Sequence, residues 1–152
     1  MNRIVKLFGL LLVATMFIHS HALAFDQTSL TDKGNHLAPE YVTSFKKYYY
    51  NDKDNQNFIY ISWDSVQMVE DNVIFDAIIA LPQDNVGTLT VFEVDFKNNL
   101  LRRNYALDYL TKNYKISQVV FEQPKEWESL ANYPSIKKLA LSAREHYLQY
   151  KV

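Results

Sequence analysis

The feature that most constrains the fold is a pair of strand-forming runs in the middle of the chain. Residues 58–63 and 73–81 are rich in β-branched and aromatic side chains, which favour extended backbone. After a short polar break, residues 66–70 resume the first run, and Asp71 and Asn72 separate it from the second. Asp and Asn tolerate the positive φ that tight hairpin turns require. The pattern predicts a hairpin that turns at Asp71 and Asn72, with later strands added to it.

The rest of the chain predicts further strands and then one helix. Residues 88–96, 100–109 and 115–122 continue the strand pattern with short turns between them, which is typical of a meander. From residue 134 to residue 150 the apolar side chains change to helical spacing and fall on one face. A single amphipathic helix beside a sheet is buried by lying across it. The predicted fold class is therefore α+β: an antiparallel β-sheet meander with a C-terminal α-helix packed on one face.

The alternation within residues 88–96 predicts which face the helix covers. Phe92 and Phe96 share the more apolar face, and Glu93 and Asp95 point the other way. We expect the helix to bury its apolar stripe on that face, with Phe96 in direct contact. Truncating Phe96 should then loosen the helix, whereas truncating Glu93 should change little. The stripe consists of Ile136, Leu139, Ala140, Ala143, Tyr147 and Tyr150. Ile136, Leu139, Ala143 and Tyr147 are the members expected to pack on the sheet.

The first 24 residues have the pattern of a secretory signal peptide. A basic start precedes the apolar run 7–18, and an A-x-A cleavage site ends at Ala24. The exported chain would begin at Phe25; an uncleaved anchor is the alternative. No later run is long enough to cross a membrane, so no transmembrane segment is expected in the mature chain. The predicted location is outside the cytoplasm, in the periplasm or on the outer cell surface.

Charge and composition exclude several classes of protein. Removing residues 1–24 takes away two of the 16 basic residues and none of the 17 acidic ones, leaving an excess of three acidic residues. That balance provides no electrostatic surface for nucleic acid. The chain contains no cysteine, so its core must form without disulfides. Residues 25–40 are polar and aperiodic and are expected to be a mobile N-terminal segment, and residues 41–152 to form one domain.

The stretch from residue 41 to residue 50 provides the candidate binding residues. Residues 41–46 alternate as a first strand would. Residues 46–50 place two ammonium groups beside three phenols, which suits an adhesive or glycan-stacking patch. The alternative is an edge strand whose lysines oppose aggregation. The candidate ligand-binding residues are Lys46, Lys47, Tyr48, Tyr49 and Tyr50.

Catalytic motifs are missing from the sequence. It contains no G-x-S-x-G motif and no phosphate-binding glycine loop, so neither a hydrolase of that type nor a nucleotide enzyme is indicated. Of the two histidines after residue 24, His36 lies in the N-terminal segment, and His146 is expected to be packed or half-exposed on the helix. The carboxylate pairs Glu93 with Asp95 and Glu126 with Glu128 are interpreted as solvated groups rather than as an acid–base pair. Arg102 or Arg103 could pair with Glu93 or Asp95 across neighbouring strands.

A metal site is also not expected. Asp52, Asp54 and Asn55 weakly resemble a calcium loop, but the loop lacks the glycine and the distal glutamate of that motif. The sequence therefore predicts no catalytic residues, no metal and no cofactor.

Several short motifs follow one another along the chain: Asp64-Ser65-Val66, Glu70-Asp71-Asn72-Val73, Phe96-Lys97-Asn98-Asn99 with Arg102-Arg103, Trp127, and Pro134-Ser135. Their order resembles the surface-adhesin protein E-like family of exported Gram-negative proteins. The similarity covers residue 58 to the C-terminus and implies an antiparallel sheet with a C-terminal helix, an exported protein and, from the family's named member, adhesion to host extracellular-matrix proteins. The family's paired cysteines are absent: Phe96 stands at the first position, and Ser142 or Ala143 near the second.

Two functions follow from these observations. The first is an exported cell-envelope binding protein that engages a protein partner, either host matrix or another envelope protein. The alternative is a periplasmic structural or accessory protein that works through self-association or through an envelope partner, which includes a homo-oligomer.

Overall fold

The computed structural model describes residues 31–32, 35–48, 58–81 and 85–151 of the 152-residue chain. Within them the chain forms ten strands and two α-helices, with 3-10 turns at Trp63–Ser65 and Leu130–Asn132. In chain order the elements are β1 (Thr31–Asp32), β2 (His36–Leu37), α1 (Pro39–Ser44), β3 (Lys46–Tyr48), β4 (Phe58–Ile61), β5 (Gln67–Val69), β6 (Asn72–Leu81), β7 (Val86–Asp95), β8 (Leu100–Leu110), β9 (Ile116–Phe121), β10 (Glu128–Ser129) and α2 (Pro134–Tyr150).

Eight of these strands form one antiparallel sheet, and the two shortest N-terminal strands pair with each other. The order across the sheet is β10-β8-β7-β6-β4-β3; β5 also pairs with β6, and β9 also pairs with β8. The long strands β6, β7 and β8 make up its centre. The predicted fold class, an antiparallel meander with a C-terminal helix on one face of the sheet, is confirmed.

The predicted hairpin forms, but its turn is displaced by one residue. Val69 pairs with Asn72, so the two-residue turn consists of Glu70 and Asp71 rather than Asp71 and Asn72. Glu70 adopts a positive φ of 56°. The reason lies outside the hairpin: Asn72 belongs to β6, where its side-chain amide donates a hydrogen bond to Glu93 Oε1 at 2.8 Å. A tertiary contact therefore decides which residues turn.

Helix α2 lies against one face of the sheet, which we call the helix face. Its buried residues are in one apolar cluster with Phe75, Phe92 and Val94, and Tyr147 is partly buried against the same cluster. The predicted face is thus confirmed, and so is the stripe except for Tyr150, which is 73% exposed. Phe96 is half-buried at the edge of this cluster, with the Arg144 guanidinium 5.9 Å from its ring centroid. The buried helix residues are Ile136, Leu139, Ala140 and Ala143.

The N-terminal segment covers the opposite face, which we call the tyrosine face. Here Leu37 and Phe45 pack with sheet residues in a second apolar cluster, and Leu37 is fully buried. The expectation of a mobile segment at residues 25–40 therefore does not hold for its described C-terminal part. Backbone hydrogen bonds hold that part in place, from Leu37 N to Tyr114 O and from Ile116 N to Asn35 O, both at 2.9 Å. Residues 25–30 lie outside the described residues. The tyrosines of this cluster are Tyr41, Tyr60, Tyr105, Tyr109 and Tyr114.

The prediction of a first strand over residues 41–46 is wrong for most of its length. Residues 41–44 complete helix α1, which begins with Pro39, and Phe45 follows its last residue, so that strand β3 starts only at Lys46. Within α1, Ser44 Oγ donates to Tyr41 O at 2.7 Å. The alternation in this stretch indicated a strand, but Tyr41 and Phe45 are also four residues apart, which is a helical spacing. That spacing places both rings on one side of a helix. They meet edge to face with centroids 5.1 Å apart.

Candidate functional site

Helix α2 leaves part of the helix face uncovered, and this part forms a groove of about 360 Å³ between the start of α2 and β9. Small side chains on the floor leave space above the sheet: Thr90 pairs across the strands with Ala106. Larger side chains from β9 and from the start of α2 form the walls. The groove is lined by Ile79, Thr88, Thr90, Phe92, Leu101, Arg103, Ala106, Asp108, Gln118, Val120, Phe121, Tyr133 and Ile136.

One end of the groove carries a carboxylate fixed by two neighbouring strands. Thr88 Oγ1 donates to Asp108 Oδ1 and Gln118 Nε2 donates to Asp108 Oδ2, both at 2.6 Å. Thr88 and Gln118 are also the strand partners of Asp108 on its two sides. The register of the sheet therefore orients this carboxylate.

The other end of the groove carries a charge that is already paired. Arg103 Nη2 lies 3.3 Å from Glu128 Oε1, and Tyr133 donates its hydroxyl to the other oxygen of that carboxylate. The hydrogen bond from Tyr133, with a smaller contribution from Arg103, lowers the pKa of Glu128. Glu128 was predicted to be a solvated carboxylate, and it instead joins β10, β8 and the start of α2 at the rim of the groove.

The predicted ligand-binding patch lies at the opposite edge of the sheet. Lys46 and Lys47 are exposed on edge strand β3, and the ammonium of Lys47 lies 3.5 Å from the ring centroid of Phe58. Tyr48 is partly buried against the helix-face cluster, and its hydroxyl lies 3.4 Å from Ser142 Oγ. Tyr49 and Tyr50 lie outside the described residues. The position of β3 supports the alternative, an edge strand with lysines on it.

The predicted solvated carboxylate Glu93 is in fact buried at 4% exposure. Arg102 Nε and Asn104 Nδ2 both donate to its Oε2, at 2.8 and 2.9 Å, and Asn72 donates to its Oε1. Of the pairings that the sequence left open across these strands, that of Arg102 with Glu93 forms, whereas Arg103 pairs with Glu128. The expectation that Glu93 is dispensable is not supported. Asn104 is the extra residue of a β-bulge in β8, and this position turns its side chain toward Glu93.

The histidine on α2 is packed between two aromatic rings, as expected for a structural residue. The ring of His146 lies 5.0 Å from that of Trp63 and 4.9 Å from that of Tyr150, centroid to centroid. Lys151 fixes this end of the helix by donating to the backbone oxygens of Asp64 and Val66. The contacts around His146 therefore hold α2 to the 3-10 turn after β4.

A second carboxylate on the tyrosine face is perturbed by burial. Tyr41 donates to Asp76 Oδ2 at 2.6 Å, which ties α1 to the centre of β6. Burial raises the pKa of Asp76 to about 6 from a usual value of 3.8, although the hydrogen bond from Tyr41 opposes the shift. Burial and the nearby Asp76 also raise the pKa of Tyr41. At neutral pH the fold therefore contains an ionised carboxylate in an unfavourable environment.

Asp76 should make the protein less stable as the pH rises from about 4 to about 6. The folded chain keeps its proton up to about pH 6, whereas the unfolded chain releases it near 3.8, so this residue contributes most to stability in acid. The difference between wild type and Asp76→Asn in unfolding free energy should change by on the order of 2–3 kcal/mol across that range. Urea titrations at pH 4 and pH 7 measure it. Parallel pH profiles for the two proteins would contradict the assignment.

Two further predictions concern metal binding and membrane-spanning segments. Across the described part of the chain, no group of three His, Cys, Asp or Glu side chains is placed to hold a metal ion. Asp52, Asp54 and Asn55 lie outside that part, so the interpretation of the calcium-like loop stays a prediction. Among the described residues, no helix has the length and apolar character needed to cross a membrane.

Comparisons of the chain with models of protein families, with curated proteins and with solved structures found no match. The resemblance to the surface-adhesin protein E-like family, and the adhesion that it implies, therefore stay predictions. Sequence reasoning also missed the groove. A usable indication was present in β7, where Thr88 and Thr90 place small polar side chains on the face that otherwise carries Phe92 and Phe96.

Proposed function

We propose that this chain is an exported cell-envelope binding protein that engages a protein partner through the groove on the helix face. The observation that carries the proposal is the uncovered part of that face, where a concave, mostly apolar surface carries a few fixed polar groups. Binding sites commonly have this composition. Host matrix and another envelope protein are the two partner classes that the sequence favours.

The surface beside the groove supports a protein as the ligand. Val120 lines the groove and is 49% exposed, and beside it Phe121 adds a half-buried ring to the same lining. Neighbouring apolar side chains on an exposed strand are typical of a surface that another protein covers. On the opposite side of the sheet, β3 carries Lys46 and Lys47 instead, and charged edges discourage association.

Filling the groove should weaken partner binding. Val120→Arg adds a long charged side chain at the groove, whereas Val69→Arg makes the same change at a comparably exposed strand valine (40%) on β5. Binding of each variant is measured on immobilised extracellular-matrix proteins and on envelope extract. We expect Val120→Arg to bind at least about tenfold more weakly than Val69→Arg, which is the cost of losing a central contact. Equal binding by both variants would refute the groove as the site.

Cell fractionation with surface labelling tests the proposed location and chooses between the partner classes. A protein confined to the periplasm cannot reach host matrix, so its partner would be another envelope protein. A protein found in the cytoplasm would contradict the proposal of export.

Self-association is the second candidate function. Leu141 and Leu148 are 41% and 52% exposed, and both lie on the outer side of α2, two turns apart. Exposed leucines that repeat every seven residues can pack against a second helix. Sedimentation velocity of the exported protein distinguishes self-association from binding of a different protein. Only self-association requires the apparent mass of the protein to increase with its concentration.

A further inference from the structure

We propose that the acidic end of the groove binds a basic side chain, lysine or arginine, presented by the partner. This inference rests on the proposed function, because it assigns the chemistry of the ligand at the same groove. It follows from one carboxylate, that of Asp108, and from the apolar surface that leads to it.

The Asp108 carboxylate is oriented but not neutralised. Its two hydrogen bonds come from Thr88 and Gln118, which are uncharged donors. Of the described residues, only Glu93 and Glu128 have a lysine, arginine or histidine nitrogen within 4.0 Å of a carboxylate oxygen. Each oxygen of Asp108 keeps acceptor capacity beyond the one bond that it receives. The negative charge can therefore accept a cation without breaking an existing contact.

The rest of the groove suits the stem of a long basic side chain. Ile79, Ala106 and Val120 provide apolar surface near Asp108, and the volume of about 360 Å³ accommodates one such side chain. Lysine and arginine bury their methylene stems along apolar surface and keep the charged head at a polar group. An acidic side chain fits less well, since the one guanidinium of the groove, that of Arg103, is already paired with Glu128.

A peptide array tests the proposal. The probes are octapeptides in which seven positions carry uncharged residues and one central position carries lysine, arginine, norleucine or glutamate. Norleucine keeps the apolar stem of lysine and lacks its ammonium. We expect the labelled protein to bind the lysine and arginine peptides about tenfold more tightly than the norleucine peptide, as a hydrogen bond between charged groups provides. The glutamate peptide should bind most weakly.

Two variants link this preference to Asp108. In Asp108→Asn the preference for lysine over norleucine should fall to within about twofold, because the amide carries no charge. Asp64→Asn removes the same charge from an exposed position outside the groove and should keep the full preference. The comparison of lysine with norleucine on wild type decides the matter even if Asp108→Asn does not fold.

The outcomes separate this inference from the proposed function. Equal binding of the lysine and norleucine peptides, no binding of any peptide, or an unchanged preference in Asp108→Asn overturns the inference. In each of these cases, weaker partner binding by Val120→Arg than by Val69→Arg would still support the proposed function. If Asp108→Asn changes the sedimentation of the protein alone, the occupant is a second copy of this chain, and the inference is also overturned.

Discussion

Glu93→Ala should destabilise the protein by about 3 kcal/mol, because it leaves buried donors without their acceptor. The side chain of Glu93 is 5% exposed, and it accepts hydrogen bonds from Asn72, Arg102 and Asn104. The Arg102 side chain is 22% exposed and would recover only part of its hydration. A loss of this size is a large fraction of the stability of a small domain. Urea denaturation at pH 7 measures it.

The control for Glu93 is a glutamate on the surface. Glu126 is exposed, and its replacement by alanine should change the free energy of unfolding by no more than about 0.5 kcal/mol. Similar urea midpoints for Glu93→Ala and Glu126→Ala would mean that the network around Glu93 adds nothing to stability. That result would agree with the prediction from strand alternation and contradict the structure.

Phe92→Ala should destabilise the protein by about 3–5 kcal/mol, the usual cost of deleting a buried phenylalanine. Phe92 is 3% exposed, and its ring centroid lies 5.7 Å from that of Phe75, beneath α2. Since the chain has no cysteine, the helix is held by burial, and Phe92 is part of the surface that it covers. Urea midpoints and the loss of helical circular dichroism report the effect.

Phe96→Ala provides the matched comparison on the same strand face. Phe96 is only half-buried at the edge of the cluster, so its truncation should cost less than half as much, about 1–2 kcal/mol. The sequence alone predicted that Phe96 contacts the helix directly and that its truncation loosens the helix or unfolds the domain. If Phe96→Ala proves more damaging than Phe92→Ala, then the helix depends on the end of β7 rather than on its centre.

The sequence by itself determined the central strands, the C-terminal helix and the face on which they meet. The alternation of residues 88–96 and the helical spacing of residues 134–150 are local patterns, and burial of apolar surface leaves few ways to combine them. The pairing of Arg102 with Glu93 was also predictable, since side chains opposite each other on neighbouring strands interact. None of these conclusions needed a contact between distant parts of the chain other than the packing of the helix on the sheet.

The tertiary structure alone decided the burial of the polar groups and the position of the groove. Alternation predicts that Glu93 faces away from Phe92, but it does not predict that a bulge at Asn104 and a side chain from Asn72 enclose that carboxylate. The turn between β5 and β6 also lies one residue away from its predicted position, because Asn72 belongs to β6 and donates a hydrogen bond to Glu93. Helix α1 formed where alternation suggested a strand, because Tyr41 and Phe45 are buried on the tyrosine face. The groove exists because α2 covers only part of its face, and the extent of that cover depends on how the whole chain packs.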